Sequence, residues 1–364
     1  MHISELETPA LLIDLDRMEA NLCRVAQYAK QHSLRLRPHT KTHKTPAIGR
    51  KQIELGAAGL TVAKVGEAEV MLSSGTPDLL VAYPVIGESK LRRLMQVARQ
   101  TKLTVALDSV EAARELSDAA KSAGVNVAVL VEADVGMHRV GVAVGEDLVA
   151  LAREVTRLSN LTLEGVACYP GHIRSAKEEN KPLLERLARD IERIVQDFRR
   201  AGLPLKIVSA GSTPLVFQSH QFPGINEIRP GTYVFNDINC VRSGMATLED
   251  CAVTILTTVV SNARPGYVIV DGGSKTFSSD HLAGSNEASF GYVIEAPQAL
   301  FYNMNEEHGF LDVRECGRPF RIGERLRVIP NHVCVAMNLH EQVYGIRGDQ
   351  VEQVFRVEGR GKLQ

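Results

Sequence analysis

Gly59-Leu60-Thr61-Val62 is a short apolar and β-branched run. Val65–Leu72, just behind it, carries apolar residues at helical spacing, and Leu79-Leu80-Val81-Ala82 returns to an apolar strand pattern. Strand, helix, strand is the reading of a parallel β/α unit, because parallel neighbours need a crossover and a helix supplies it. The pattern extends in both directions. Upstream, Ala10–Asp14 reads as a strand, Asp16 as the cap of a helix bearing Met18, Leu22, Val25 and Ala26, Leu34–Arg37 as a strand and Pro46–Leu55 as a helix. Downstream, strands over Lys102–Leu107, Val125–Glu132, Leu163–Cys168 and Leu205–Ser209 alternate with helices over Glu88–Gln100, Ser109–Ser122, Glu146–Ser159 and Glu178–Ala201. About eight such units predict an α/β fold of the (β/α)8 TIM-barrel type, which takes about 250 residues. A doubly wound open sheet is the alternative. No Gly-x-Gly-x-x-Gly run follows the first strand, which disfavours a dinucleotide-binding version.

The texture changes near residue 247. Cys251–Ser261, Tyr267–Asp271, Arg325–Ile329 and Gln353–Val357 are β-rich, glycines and prolines punctuate them, and long helical periods are missing. Residues 1–246 are therefore expected to form the barrel, with residues 1–7 able to join the second domain, and 247–364 a mostly β domain. Hydrophobic residues make up 44% and charged residues 23% of the chain, at a formal net charge of -1. That balance offers no footprint for nucleic acid or an anionic membrane surface. No apolar run reaches the length of a membrane span, and no basic segment followed by an apolar stretch opens the chain. The six cysteines are scattered without a Cys-x-x-Cys pair. In a chain of this length they argue against a disulfide framework and for a reducing, cytoplasmic setting.

The most unusual run is Arg37-Pro38-His39-Thr40-Lys41-Thr42-His43-Lys44-Thr45-Pro46. It follows a predicted strand, which in a barrel places it on the catalytic face. Cationic neighbours disfavour a lysine's ammonium form, and the neutral amine is the form that attacks an aldehyde. A solvated basic loop, or one that only binds phosphate, fits the composition equally well, and composition does not separate Lys41 from Lys44. Ser209-Ala210-Gly211-Ser212-Thr213-Pro214 also follows a predicted strand. Its small residues let backbone N–H groups approach a phosphate, and its hydroxyls add donors. Cys168-Tyr169-Pro170-Gly171-His172 ends another strand, making His172 or Tyr169 a candidate acid or base. Pro330-Asn331-His332-Val333-Cys334 lies in the β-rich region. Residues two apart on a strand share a face, so His332 and Cys334 are candidates to hold one metal ion. Nitrogen plus thiolate favours zinc over magnesium or calcium.

The segment Arg37–Lys44, set after the strand at Leu11–Asp14, resembles the cofactor-lysine motif of the D-threonine aldolase and D-serine dehydratase family, fold-type III pyridoxal-phosphate (PLP) enzymes related to alanine racemase. The resemblance implies that Lys41, between two histidines, bears PLP, with His39 in the same site. Asp134–Gly141 resembles the segment in which an arginine, here Arg139, meets the cofactor's ring oxygen. Ser209, Gly211, Ser212 and Thr213 fall at the family's phosphate loop. Glu227–Tyr233 is similar to the last barrel strand, which implies Arg229 at the pyridine nitrogen and Tyr233 at the phosphate. A His-x-Cys or His-x-Asp metal pair stands where His332 and Cys334 do, followed by a stretch like Asn338-Leu339-His340. The cysteine form resembles the dehydratases and the aspartate form the aldolases. The implied activity is that of a lyase on D-3-hydroxy amino acids, with β-elimination to a 2-oxo acid and ammonia ahead of retro-aldol cleavage to glycine and an aldehyde. An amino-acid racemase and a non-catalytic PLP-binding protein are further alternatives. Implied cofactors are PLP and a divalent ion, with zinc ahead of manganese or magnesium, and the implied assembly is a homodimer.

Overall fold

The computed structural model describes residues 1–284 and 289–364. Strand Ala10–Asp14 (β1) runs into helix Leu15–Gln31 (α1). Its amide end is capped two residues earlier than Asp16, with Arg17 N donating to Asp14 Oδ1 at 3.0 Å. A β/α series follows: Arg35–Leu36 (β2), Pro46–Glu54 (α2), Leu60–Val62 (β3), Val65–Met71 (α3), Asp78–Val81 (β4), Glu88–Ala98 (α4), Lys102–Leu107 (β5), Val110–Ala123 (α5), Val127–Asp134 (β6), the short Val142–Ala143 (β7), Glu146–Arg157 (α6), Leu161–Cys168 (β8), Lys181–Arg200 (α7), Ile207–Ala210 (β9) and Glu227–Ile228 (β10). The helices form where sequence signals them. Ser109 accepts from Ala112 N to cap α5, and Gly124 at φ 67 ends it. In α7 the residues Leu187, Ile191, Ile194 and Phe198, three or four apart, are the buried stripe.

The strands are parallel and ordered β2-β10-β9-β8-β6-β5-β4-β3. Beyond the end of β2 the chain closes onto β3, with Thr40 N donating to Thr61 O and Thr61 N to Pro38 O, both at 2.8 Å. The result is a closed eight-stranded barrel. Its membership differs from the expected one in a single respect. Ala10–Asp14 is not a barrel strand, and the eighth place belongs to Glu227–Ile228, in the segment that resembles a last barrel strand. Alternation along each strand sorts the interior from the helical side. Leu79, Val81, Val105, Leu107, Val129 and Val131 pack with helix residues such as Leu94 and Leu116, whereas Leu80, Ala106, Leu130, Ala167 and Ile207 form a separate inner cluster.

The remaining chain contributes a short helix, Ile238–Ser243 (α8), then Val253–Ser261 (β11), Tyr267–Val270 (β12), Ser274–Phe277 (α9), Gly291–Val293 (β13), Leu300–Met304 (β14), Gly309–Asp312 (β15), Arg325–Pro330 (β16), Val333–Leu339 (α10), Gln342–Arg347 (β17) and Gln350–Arg356 (β18). Their sheet runs β14-β15-β12-β11-β1-β17-β18, with β16 pairing β11 and β13. β1 lies antiparallel to β11 and parallel to β17, which is why it leaves the barrel series. Accordingly the compact units are not blocks meeting at residue 246. One consists of Met1–Leu22, Thr42–Thr45 and Thr232–Arg360, the other of Cys23–Lys41, Pro46–Gly231 and Gly361–Gln364. Among the described residues no helix is long and apolar enough to cross a membrane.

Candidate active site

In the barrel unit, the segments singled out from sequence all leave the carboxyl ends of strands, the face on which barrel enzymes build their sites. Lys41 lies in the turn after β2, with its amide 3.4 Å from His39 Nδ1. Its Nζ is 6.0 Å from the centroid of the Tyr169 ring, and the Arg139 guanidinium is 4.9 Å from the same centroid. Gly171 makes room for that ring, since a Cβ there would sit 2.1 Å from Tyr169 Cε1. Lys44 belongs to the other unit, buried, with its carbonyl accepting from Gly359 N at 2.9 Å. The structure thus separates the two lysines that composition leaves equivalent. It also disperses the expected crowd of cations. Arg37 is committed to Asp78 and Glu227, and His43 Nδ1 accepts from Thr45 N.

His172 lies over the Gly136 backbone, where a Cβ would be 3.2 Å from His172 Nε2. Burial pushes its pKa below the ordinary 6.5, against the pull of Asp134, and its Nδ1 is buried without a hydrogen-bond partner among the described residues. Ser209 faces the barrel interior, its hydroxyl donating to Glu227 Oε1 at 2.7 Å rather than lying in the loop beyond. That loop begins at Gly211, with φ 96. Ser212 then stands at the start of the 3-10 helix Thr213–Gln221 without capping it, its hydroxyl buried and without a partner among the described residues. Thr213 Oγ1 accepts from Gly231 N at 3.2 Å. Arg229 is buried, and its Nη2 donates to Cys168 O at 2.9 Å while Nη1 has no partner among the described residues. Tyr233 is buried in the other unit. Glu132, at the end of β6, has no motif to betray it in the sequence. It is buried near Arg229 and Arg139, and burial raises its pKa despite both arginines.

In the β unit, His332 and Cys334 meet, though not along a strand. β16 ends at Pro330, His332 is the extended N-cap of α10, and Cys334 lies in that helix's first turn. The His332 imidazole is pushed up to about 11, by Cys334 first and by Asp237 as well. Nδ1–H of His332 donates to Asp237 Oδ2 at 3.0 Å. Cys334 Sγ is 3.2 Å from Thr42 Oγ1 and 3.8 Å from Thr232 Oγ1. Among the described residues no group of three or more His, Cys, Asp or Glu side chains is placed to hold a metal. Asp237, Thr42 and Thr232 carry no sequence signal that links them to the pair. Asp237 is ninety-five residues from His332.

Two family models account for most of the chain: "Alanine racemase, N-terminal domain" over residues 13–238 and "Putative serine dehydratase domain" over 252–346. A D-threo-3-hydroxyaspartate dehydratase from Delftia sp. (strain HT23) is 33% identical across 90% of this chain and 91% of that protein. The crystal structure of a D-threonine aldolase from Filomicrobium marinum matches with a TM-score of 0.92 at 31% identity, covering 99% of this chain and 98% of that one. A cysteine-to-alanine variant of a D-threo-3-hydroxyaspartate dehydratase, in the metal-free form, matches with a TM-score of 0.90 at 31% identity, covering 98% of each chain. The barrel and β domain are therefore those of an alanine-racemase-like, PLP-dependent lyase. The chain belongs to the D-threonine aldolase and D-serine dehydratase family. Its residues fit PLP: among the described residues Arg229 Nη1 and Ser212 Oγ are buried donors without acceptors, and the cofactor brings a ring nitrogen and a phosphate. They fit a divalent cation too, since a cysteine sulfur and a carboxylate face one imidazole at the His332–Cys334 pair.

Proposed function

We propose that Lys41 bears PLP, that His332 and Cys334 hold a divalent ion, and that the favoured reaction is dehydration of a D-3-hydroxy amino acid to a 2-oxo acid and ammonia. The observation that carries this reading is the convergence of His332, at the N-cap of α10, and Cys334, in its first turn, in a lyase of this family. Bound PLP supplies an electron sink at the substrate's α-carbon, and the ion supplies Lewis acidity at the departing hydroxyl. The chain's own residues do the rest. Lys41 Nζ is the cofactor's anchor and, released from it, the base that takes the α-proton. Arg139 places a cation beside Tyr169 to balance anionic charge at the cofactor's ring oxygen. Arg229 Nη1, buried without a partner among the described residues, would donate to the ring nitrogen, and the Gly211–Thr213 turn with Ser212 Oγ would receive the phosphate. Tyr169 walls the site beside Lys41. Zinc suits the nitrogen-plus-thiolate pair, ahead of manganese or magnesium. A homodimer in a reducing, cytoplasmic setting completes the reading, and none of the six cysteines is in a disulfide.

Retro-aldol cleavage to glycine and an aldehyde is the second reading, favoured by the match to the Filomicrobium marinum aldolase. It differs in the proton taken: a base removes it from the 3-hydroxyl instead of the α-carbon. Product analysis separates the two. Purified enzyme supplied with PLP and zinc is given D-threonine, D-serine and D-threo-3-hydroxyaspartate in turn. Ammonia with a 2-oxo acid, lost on treatment with EDTA and restored by zinc, is the expected result. Glycine with an aldehyde, or with glyoxylate, would instead establish the aldolase.

His172 is the second acid or base in this reading. Burial keeps its imidazole neutral to a lower pH than an ordinary histidine, so a basic role is lost only as pH falls through a value below 6.5. The acid limb of the kcat/KM profile is expected in that range. His172→Gln is expected to remove the limb and lower kcat by about 10^2-fold, the ordinary worth of one positioned proton-transfer group. An unchanged limb in the variant would take the role away from His172.

A further inference from the structure

We infer that Asp237 is the positioning residue of the metal pair, aiming the His332 imidazole and fixing the helix start that presents Cys334. The inference rests on the reading that His332 and Cys334 hold a divalent ion.

Asp237 is completely buried, a costly place for a carboxylate unless both oxygens are used. Its two oxygens have separate tasks. Oδ1 accepts from Cys240 N at 3.0 Å and caps α8. Serine or asparagine caps a helix as well as aspartate does, so capping alone does not call for a buried carboxylate. Oδ2 explains the choice. It accepts from His332 Nδ1 at 3.0 Å and from Val333 N at 3.1 Å. The first contact places hydrogen on Nδ1 and leaves Nε2 as the ligating nitrogen, the ring orientation that metal-bound histidines obtain from a carboxylate partner. The second holds the backbone of the residue between the two ligands. One oxygen therefore governs both the imidazole and the turn that places the sulfur. The residue before it, Asn236, is buried at φ 53, a left-handed conformation that asparagine tolerates better than most residues. The backbone is bent to deliver Asp237 where it stands.

Asp237→Ser separates the two tasks, because serine retains a cap for α8 but is too short to reach His332. Zinc affinity of the full-length enzyme is measured by competition with a chromophoric chelator. Thermal unfolding of the metal-free protein is followed in parallel, and the ligand-field spectrum of the cobalt-substituted protein is recorded. Expected are zinc binding weakened about 10- to 100-fold, the range typical for loss of a ligand's carboxylate partner, an altered cobalt spectrum, and a metal-free unfolding midpoint near that of the parent. A serine variant that binds zinc as tightly as the parent overturns the inference. A parent protein that binds no zinc overturns the metal reading itself, which is a different result. Should the serine variant not fold, Asp237→Asn is read instead. It keeps the volume, but its amide carries one oxygen and a donor, so it cannot accept on both sides at once. The same weakening is expected, and parent-like zinc affinity there overturns the inference.

Discussion

Lys41→Ala is expected to abolish the visible absorbance band of lysine-bound PLP and to reduce turnover on the order of 10^4-fold, as when a covalently acting group is lost from a site. No other amine in the barrel unit occupies the position beside Tyr169 that Lys41 Nζ holds among the described residues. The control is Lys44→Ala. Lys44 is three residues away, also a lysine and part of the same run, but it is buried in the other unit against Gly359. That variant is expected to keep the band. Its own backbone already lies at φ 51, so alanine brings no new conformational demand. Both spectra are taken on protein reconstituted with PLP and freed of excess. A band that survives in Lys41→Ala and disappears in Lys44→Ala would move the cofactor to the second lysine and dismantle the site.

The alternation of strands and helices was legible because each β/α unit buries its own face locally, so period and length suffice. What a strand pairs with is not local. Ala10–Asp14 has an impeccable strand pattern, and nothing in it states that its neighbours are Val253–Ser261 and Gln342–Arg347 rather than a barrel strand. Glu227–Ile228 is only two residues long and was visible through resemblance, not through periodicity. The His332–Cys334 pair shows the reverse case. His332 and Cys334 do meet, but across an N-cap and a helical first turn, so the i, i+2 strand geometry was the wrong reason for a proximity that exists. Ser209 illustrates a third limit. A small residue beside a glycine loop reads as phosphate-binding until the side-chain direction is known, and here the hydroxyl turns inward to Glu227. Asp237 and Glu132 were out of reach altogether, because a buried carboxylate without motif spacing announces itself only through the groups that fold against it.

The inward side of Ser209 leads to the second large expected effect. Arg37 is fully buried, donates to Asp78 through Nη1 at 2.7 Å and Nη2 at 3.2 Å, and donates to Glu227 through Nε at 3.0 Å. Burial alone would lower its pKa, but the two carboxylates outweigh that and hold it above the ordinary arginine value. Arg37→Met removes the one buried cation between them. Arg35 and Lys102 also reach Glu227 and Asp78, at 3.3 and 3.6 Å, but both are substantially exposed and weakened by solvent. Stability is expected to fall by about 3–5 kcal/mol, the usual cost of leaving buried charge uncompensated. Urea unfolding at neutral pH measures it. The deficit should shrink in acid, where the stranded carboxylates take up protons and cease to repel. It should shrink again at neutral pH when Asp78→Asn and Glu227→Gln are added, since the triad's net worth against neutral replacements is small and the loss belongs to the charges left behind. A single variant within about 1 kcal/mol of the parent would mean that water or the exposed cations reach this part of the barrel, and that the arginine opening the lysine run is free for a role at the site after all.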